Sequence, residues 1–181
     1  TAKINDENTG ALITTLKQTV QVTSADIDPA DGLPHIRFAY APVMDDPGHS
    51  PEQQPYFYVA IRRVSDNSIL FEKIAYSGQP DANFLNGSGS WKYLPFQDVD
   101  AVLPADAVGE SIELTVIAAD CSLGGHAGYV YVDGFGSAAL PPATGGALGP
   151  KMPVPMLPRE GLILLAAAML ALGLMAARRA S

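Results

Sequence analysis

Ser111-Ile112-Glu113-Leu114-Thr115-Val116-Ile117-Ala118-Ala119 decides the fold class. Its apolar side chains fall on Ile112, Leu114, Val116 and Ala118, and its polar ones on Ser111, Glu113 and Thr115. A period of two belongs to a β-strand with one buried face, because successive side chains leave a strand on opposite sides. The same alternation recurs upstream. Residues 35–41 set Ile36, Phe38 and Tyr40 against Arg37 and Ala39. Residues 56–64 set Phe57, Val59 and Ile61 against Tyr56, Tyr58 and Ala60. Residues 11–23, 69–76 and 128–135 add further strands, and residues 91–94 and 96–102 read as one strand broken at Pro95, which has no N–H to give a ladder.

Turn chemistry fills the intervals. Residues 1–10 are polar and turn-like, residues 25–32 are rich in Asp, Pro and Gly, and residues 42–55 and 77–90 read as long loops. Ser65-Asp66-Asn67-Ser68 reads as a hairpin turn, and residues 120–127 as a Gly-rich loop. About seven short strands, and no helical pattern before the tail, predict an all-β, jelly-roll-like sandwich over residues 1–140.

The composition changes beyond that domain. Residues 141–153, PPATGGALGPKMP, have no apolar period and read as a Pro/Gly-rich linker. Residues 154–181 follow as VPMLPREGLILLAAAMLALGLMAARRAS. The run 162–177 carries no charge, and Arg178 and Arg179 come just after it. A transmembrane helix over 161–177 is about 25 Å long, at the short end of what crosses a bilayer. Positive charge favours the cytoplasmic side, so Arg178 and Arg179 act as a cytoplasmic stop, with the C-terminus inside and the sandwich outside. The run has no polar face, which argues against a helix packed on a soluble core.

The order of short motif, apolar helix and arginine pair resembles the bacterial C-terminal sorting domains read by exosortases, and within them the IPTL-CTERM type. That motif reads Ile-Pro-Thr-Leu, two variable residues, Trp-Gly, then Leu-Ile-Leu-Leu. Pro155, Leu157, Gly161 and the run Leu162-Ile163-Leu164-Leu165 match it, and Val154 replaces Ile conservatively. Met156 stands where Thr is usual and Glu160 where Trp is usual. The resemblance implies a membrane-bound protein sorting signal, cut outside the membrane by a transpeptidase-like protease that hands the protein to a cell-surface acceptor. An ordinary single-span anchor that is never cut is the alternative.

A second resemblance lies in residues 91–136. Asp120-Cys121, Gly124-Gly125-His126 and Gly128-Tyr129-Val130-Tyr131-Val132-Asp133 look like elements of jelly-roll domains of bacterial surface proteins, related in architecture to galactose-binding-like and carbohydrate-binding modules. The resemblance implies the fold and an extracellular setting, and no particular ligand.

Charge and cysteine count narrow the function classes. Residues 1–150 hold 7 Lys and Arg against 18 Asp and Glu, a net of −11, and residues 151–181 hold 4 against 1, a net of +3. An acidic ectodomain argues against a nucleic-acid partner, since neutralising phosphates needs a basic surface. The chain begins at Thr1 with no export signal ahead of it, so a mature or truncated chain is expected. One cysteine, Cys121, leaves no intramolecular disulfide, and the domain must rely on its core.

Trp91 and Tyr93, with Tyr56 and Tyr58, are candidates for an aromatic platform that stacks on sugar rings, although one large aromatic per strand is also ordinary sandwich core. Asp133 near the end of the last strand, with Asp6 and Glu7 near the first, is a candidate oxygen-ligand set for a structural Ca²⁺, against solvated carboxylates. Asp45, Asp46 and His49 form a further candidate metal group, against a turn capped by Asp. Cys121 follows a strand and is expected as a small buried side chain. His126 is close in sequence, but Ser122-Leu123-Gly124-Gly125 intervenes and no third group is evident for a nucleophile. There is no Gly-x-Ser-x-Gly, no His-Glu-x-x-His and no phosphate-binding Gly loop. The expectation is a membrane-anchored cell-surface protein that displays a non-catalytic adhesion domain. A carbohydrate-binding module for extracellular polysaccharide and a small surface hydrolase are the alternatives.

Overall fold

The computed structural model describes residues 1–136. The linker, the sorting motif, the span at 161–177 and the arginine pair lie outside the described residues. Among the described residues no helix is long and apolar enough to cross a membrane.

These residues form ten strands: β1 (Ala2–Ile4), β2 (Ile13–Gln21), β3 (His35–Asp45), β4 (Tyr56–Arg63), β5 (Ile69–Tyr76), β6 (Leu85–Asn86), β7 (Trp91–Tyr93), β8 (Gln97–Val102), β9 (Ser111–Ala119) and β10 (Gly128–Gly136). All pairings are antiparallel. The first sheet runs β1-β10-β3-β7-β6, with β8 also on β3, and the second runs β2-β9-β4-β5. Two sheets face each other across one core, as a β-sandwich requires.

The alternation of β9 explains the core. Leu114 stands opposite Ile61 and Val116 opposite Val59, and Ile112, Leu114, Val116 and Ala118 are all fully buried. The facing sheet supplies Ile36, Phe38, Tyr40 and Met44 from β3 and Val130 and Val132 from β10. Aromatic edges lock the two layers. Phe38 of the first sheet meets Phe71 of the second at 5.8 Å between ring centroids, nearly perpendicular, and Tyr40 meets Phe57 at 5.7 Å. Each such buried side chain contributes about 1.5–3 kcal/mol of transfer free energy.

Three stretches expected as turn or loop contain strand, one of them residues 77–90, where β6 pairs with β7. Residues 1–10 contain β1, which pairs with β10 through Lys3 and Tyr131. β3 runs on to Asp45, into the expected loop at 42–55, because β10 continues beside it as far as the pair Gly128 and Met44. Pro42 is tolerated inside β3 because the neighbour on one edge changes there. β8 ends at the pair Tyr40 and Gln97, and β7 starts at Val43 and Tyr93. The Leu94 amide donates to the Pro42 carbonyl at 3.1 Å in the gap, with Pro95 just beyond it. A residue without an N–H costs least where the ladder is already interrupted.

Candidate functional site

The outer face of the first sheet carries an aromatic cluster. Cross-strand partners share a face, so the register places Tyr129 beside Val43, Val43 beside Tyr93, and Tyr93 beside Leu85 in one row across four strands. Trp91 stands one row away opposite Asp45, and Tyr131 one row the other way opposite Ala41. Trp91 meets Tyr129 at 5.7 Å and Tyr129 meets Tyr131 at 5.6 Å, edge to face. Trp91, Tyr129 and Tyr131 are half-buried, and Tyr93 and Leu85 are exposed. The Lys3 ammonium sits 4.0 Å over the Tyr129 ring. Burial pushes the Lys3 amine down, but its hydrogen bond to Glu7 and its charge interactions with Glu7, Tyr131 and Tyr129 together outweigh this and hold it above its ordinary value.

Trp91 and Tyr93 thus lie together on a sheet surface and not in the core. Tyr56 and Tyr58 do not join them. Both project from β4 on the outer face of the second sheet, in a concavity also lined by Lys17, Arg62 and Ile74. The Tyr58 hydroxyl is committed there, donating to Glu72 Oε1 at 2.7 Å and accepting from Arg62 Nη2 at 2.6 Å. By contrast, the hydroxyls of Tyr93, Tyr129 and Tyr131 have no hydrogen-bond partner among the described residues. Tyr129 and Tyr131 gave no signal in the sequence beyond an alternating strand, because the pattern does not say which face of β10 looks outward.

The carboxylates expected to share a Ca²⁺ are not brought together. Asp133 lies at the start of β1, where it accepts from Thr1 Oγ1 at 2.5 Å. Asp6 and Glu7 follow the other end of β1, about 10 Å of strand away. Asp6 accepts from the Asn8 backbone and side-chain amides, both at 2.8 Å, and Glu7 pairs with Lys3. Ca²⁺ needs its oxygens within about 2.6 Å of one ion, so this set cannot share one.

The group Asp45, Asp46 and His49 also separates. Asp46 accepts from the Gly48 amide at 3.3 Å and from Gln54 Nε2 at 3.1 Å, which makes it a turn cap. His49 turns instead toward the loop between β9 and β10. There one donor atom each from His49, Cys121 and His126 lie within 4.8 Å of one another. Cys121 Sγ is 3.4 Å from His126 Nδ1, and the His49 and His126 rings meet edge to face at 5.1 Å.

Local backbone chemistry builds this cluster. The Cys121 amide donates to the His126 carbonyl at 2.9 Å and the Gly124 amide to the Cys121 carbonyl at 3.0 Å, closing the loop into a compact turn. Gly124 has φ of +78°, a conformation that favours glycine. The Gly125 amide points at Cys121 Sγ from 3.3 Å. Burial pushes the Cys121 thiol up, but the Gly125 amide and His126 together outweigh it and hold the thiol below its usual range. His49 is positioned from the other side. Buried Gln54 donates to its carbonyl at 3.2 Å, and Ser77 Oγ donates to Gln54 Oε1 at 3.0 Å. The Ser122 amide donates to the Gln53 carbonyl at 3.2 Å and ties the two loops together.

Cys121 is 0 % exposed, so no substrate atom reaches its sulfur in this conformation. No known family model matches the chain, and no curated protein matches it.

Proposed function

We propose that the chain is a cell-surface binding and display protein whose β-sandwich takes extracellular polysaccharide on the aromatic face of its first sheet. The observation that carries this reading is the grouping of Trp91, Tyr93, Tyr129 and Tyr131 on one outer sheet face. A pyranose presents an apolar C–H face, which stacks on an aromatic ring, and hydroxyls, which seek free polar groups such as unpartnered tyrosine hydroxyls. Grouped aromatics on a sheet surface are costly to leave in water without a use. Membrane anchoring and exosortase sorting belong to the same proposal. Their support is the order of motif, apolar run and arginine pair in residues 154–181.

The chain has one tryptophan, so its fluorescence reports on this face alone. Titrating the full chain in detergent micelles with soluble bacterial polysaccharides should give a saturable change in Trp91 emission. Affinity electrophoresis should show Tyr93→Ala and Tyr129→Ala weakening binding about fivefold or more, an aromatic contact being worth about 1 kcal/mol or more. Tyr58→Ala, on the opposite sheet, should leave it unchanged. Binding that depends on Tyr58 and not on Tyr129 would move the site to the second sheet, and no binding across the panel would overturn the reading.

A further inference from the structure

We propose that His49, Cys121 and His126 form a metal site of one thiolate and two imidazoles that takes a transition metal of the Zn²⁺ class. Three observations converge on it, and none depends on the aromatic face. The first is geometric. Donor atoms that approach within 4.8 Å of one another can all sit about 2.0–2.3 Å from one central ion with small side-chain rotations. The second is an orphaned atom. His49 Nδ1 is buried with no hydrogen-bond partner, a condition that costs about 1–3 kcal/mol unless something binds there. The third is positioning. Buried Gln54 holds the His49 backbone, the Gly125 amide holds the sulfur, and the Ser122 amide joins the two loops. Metal sites depend on such outer contacts to fix their ligands.

The donor set selects the ion. It offers sulfur and nitrogen with no carboxylate, so it does not suit Ca²⁺ or Mg²⁺, which take oxygen. A thiolate with two imidazoles suits Zn²⁺ and its neighbours. Three protein ligands leave a fourth tetrahedral position, and half-buried His49 and His126 at the loop surface give water access to it. Metal uptake joins a loop after β3 to the loop between β9 and β10, and thus both sheets of the sandwich. The bound ion thus adds a crosslink between the two loops, which the thermal melt reads, beside its open fourth position.

The test uses the full chain in detergent micelles, stripped of metal by a chelator. Co²⁺ should bind with one-to-one stoichiometry and show a thiolate-to-cobalt charge-transfer band with visible d–d bands of tetrahedral intensity. Zn²⁺ should displace it and raise Tm. Cys121→Ser should abolish the charge-transfer band, and His49→Ala and His126→Ala should each weaken Zn²⁺ binding at least about tenfold. Circular dichroism identifies any variant that fails to fold. His49→Gln, a change in an irregular loop, serves where the cysteine variant is unfolded. Absence of the charge-transfer band in the folded wild type, or its persistence in folded Cys121→Ser, overturns the site. So does Zn²⁺ affinity unchanged in both His49 variants.

Discussion

His35 Nδ1 lies 2.6 Å from Asp100 Oδ1, and its Nε2 lies 3.1 Å from Asp31 Oδ2, so one imidazole bridges two carboxylates from opposite sides. Both ring nitrogens can donate only in the imidazolium form. His35 is only 7 % exposed. Burial pushes it down, but the hydrogen bonds to Asp100 and then Asp31 outweigh this and hold it above its ordinary value. Arg37, which also reaches Asp100 at 3.0 Å and pairs with Asp28, is the opposing positive neighbour. A folded-state value raised above the unfolded one gives stability that is full below the unfolded value of 6.5 and is lost as pH rises through the folded value. Asp31, held below its ordinary value by the Leu33 amide and His35, stays ionised across that window. The Tm difference between wild type and His35→Gln should therefore be largest near about pH 5.5 and shrink by about pH 8.5. A difference that grows with pH would mean that His35 is held neutral.

Leu114 is fully buried on β9, between strands on both sides and under the facing sheet. Leu114→Ala should cost about 2–5 kcal/mol in urea unfolding, from lost transfer energy and the cavity left behind. Leu114→Asp should leave no cooperative melt, because the charge has no partner in that layer. Ile112 and Val116 should behave alike. An unchanged melt in Leu114→Asp would show that the inward face of β9 is the other one.

Asp120 joins three segments from a buried position. It accepts from Asn5 Nδ2 at 2.9 Å, the Leu12 amide at 3.1 Å and the Gly128 amide at 3.3 Å. These are the end of β1, the approach to β2 and the start of β10. Asp120→Ala leaves the buried Gly128 amide without this acceptor and removes a partner from the part-buried Leu12 amide and Asn5 side chain, and should cost about 1–3 kcal/mol, the cost of an unsatisfied buried group. Asp120→Asn retains one acceptor oxygen and should lose less. Urea denaturation with unchanged m checks both, and equal losses would assign the effect to packing alone.

Alternation made much of the sandwich legible: the large apolar residues of the expected inward face of β9, β4 and the first half of β3 are all buried, although Thr115, Ala60 and Ala39 on the other face are buried as well. What stayed hidden was pairing at long range. Three-residue β1 is too short for a period to show, and β3 crosses a proline because its neighbour on one edge changes at that point. The same limit hid the thiolate and imidazole cluster. Cys121 and His126 stand close in sequence, but the loop that joins them turns back on itself through Gly124. His49 arrives from another loop and shares no local motif with either. Local spacing suggested Asp45 and Asp46 as its partners, and the loop after β3, where Gln54 holds the His49 carbonyl, turns it elsewhere.

The tail makes its own prediction, and it is one of mass and charge. If a transpeptidase-like protease cuts near 154–161, protein recovered from the producing cell's surface should have an intact mass that ends in that interval, with or without the added mass of an acceptor. The loss also removes three of the four positive charges of residues 151–181 when the cut precedes Arg159. The processed form is then more acidic than the whole chain, whose net charge is −8, and should elute later from an anion exchanger. Shortening the apolar run by four residues should abolish both changes, because a helix of about 20 Å cannot hold the motif outside while Arg178 and Arg179 remain inside. A recovered mass that retains residues 162–181 would falsify processing and leave a plain anchor. In that case the envelope's own polysaccharide is the first to test under the proposed function.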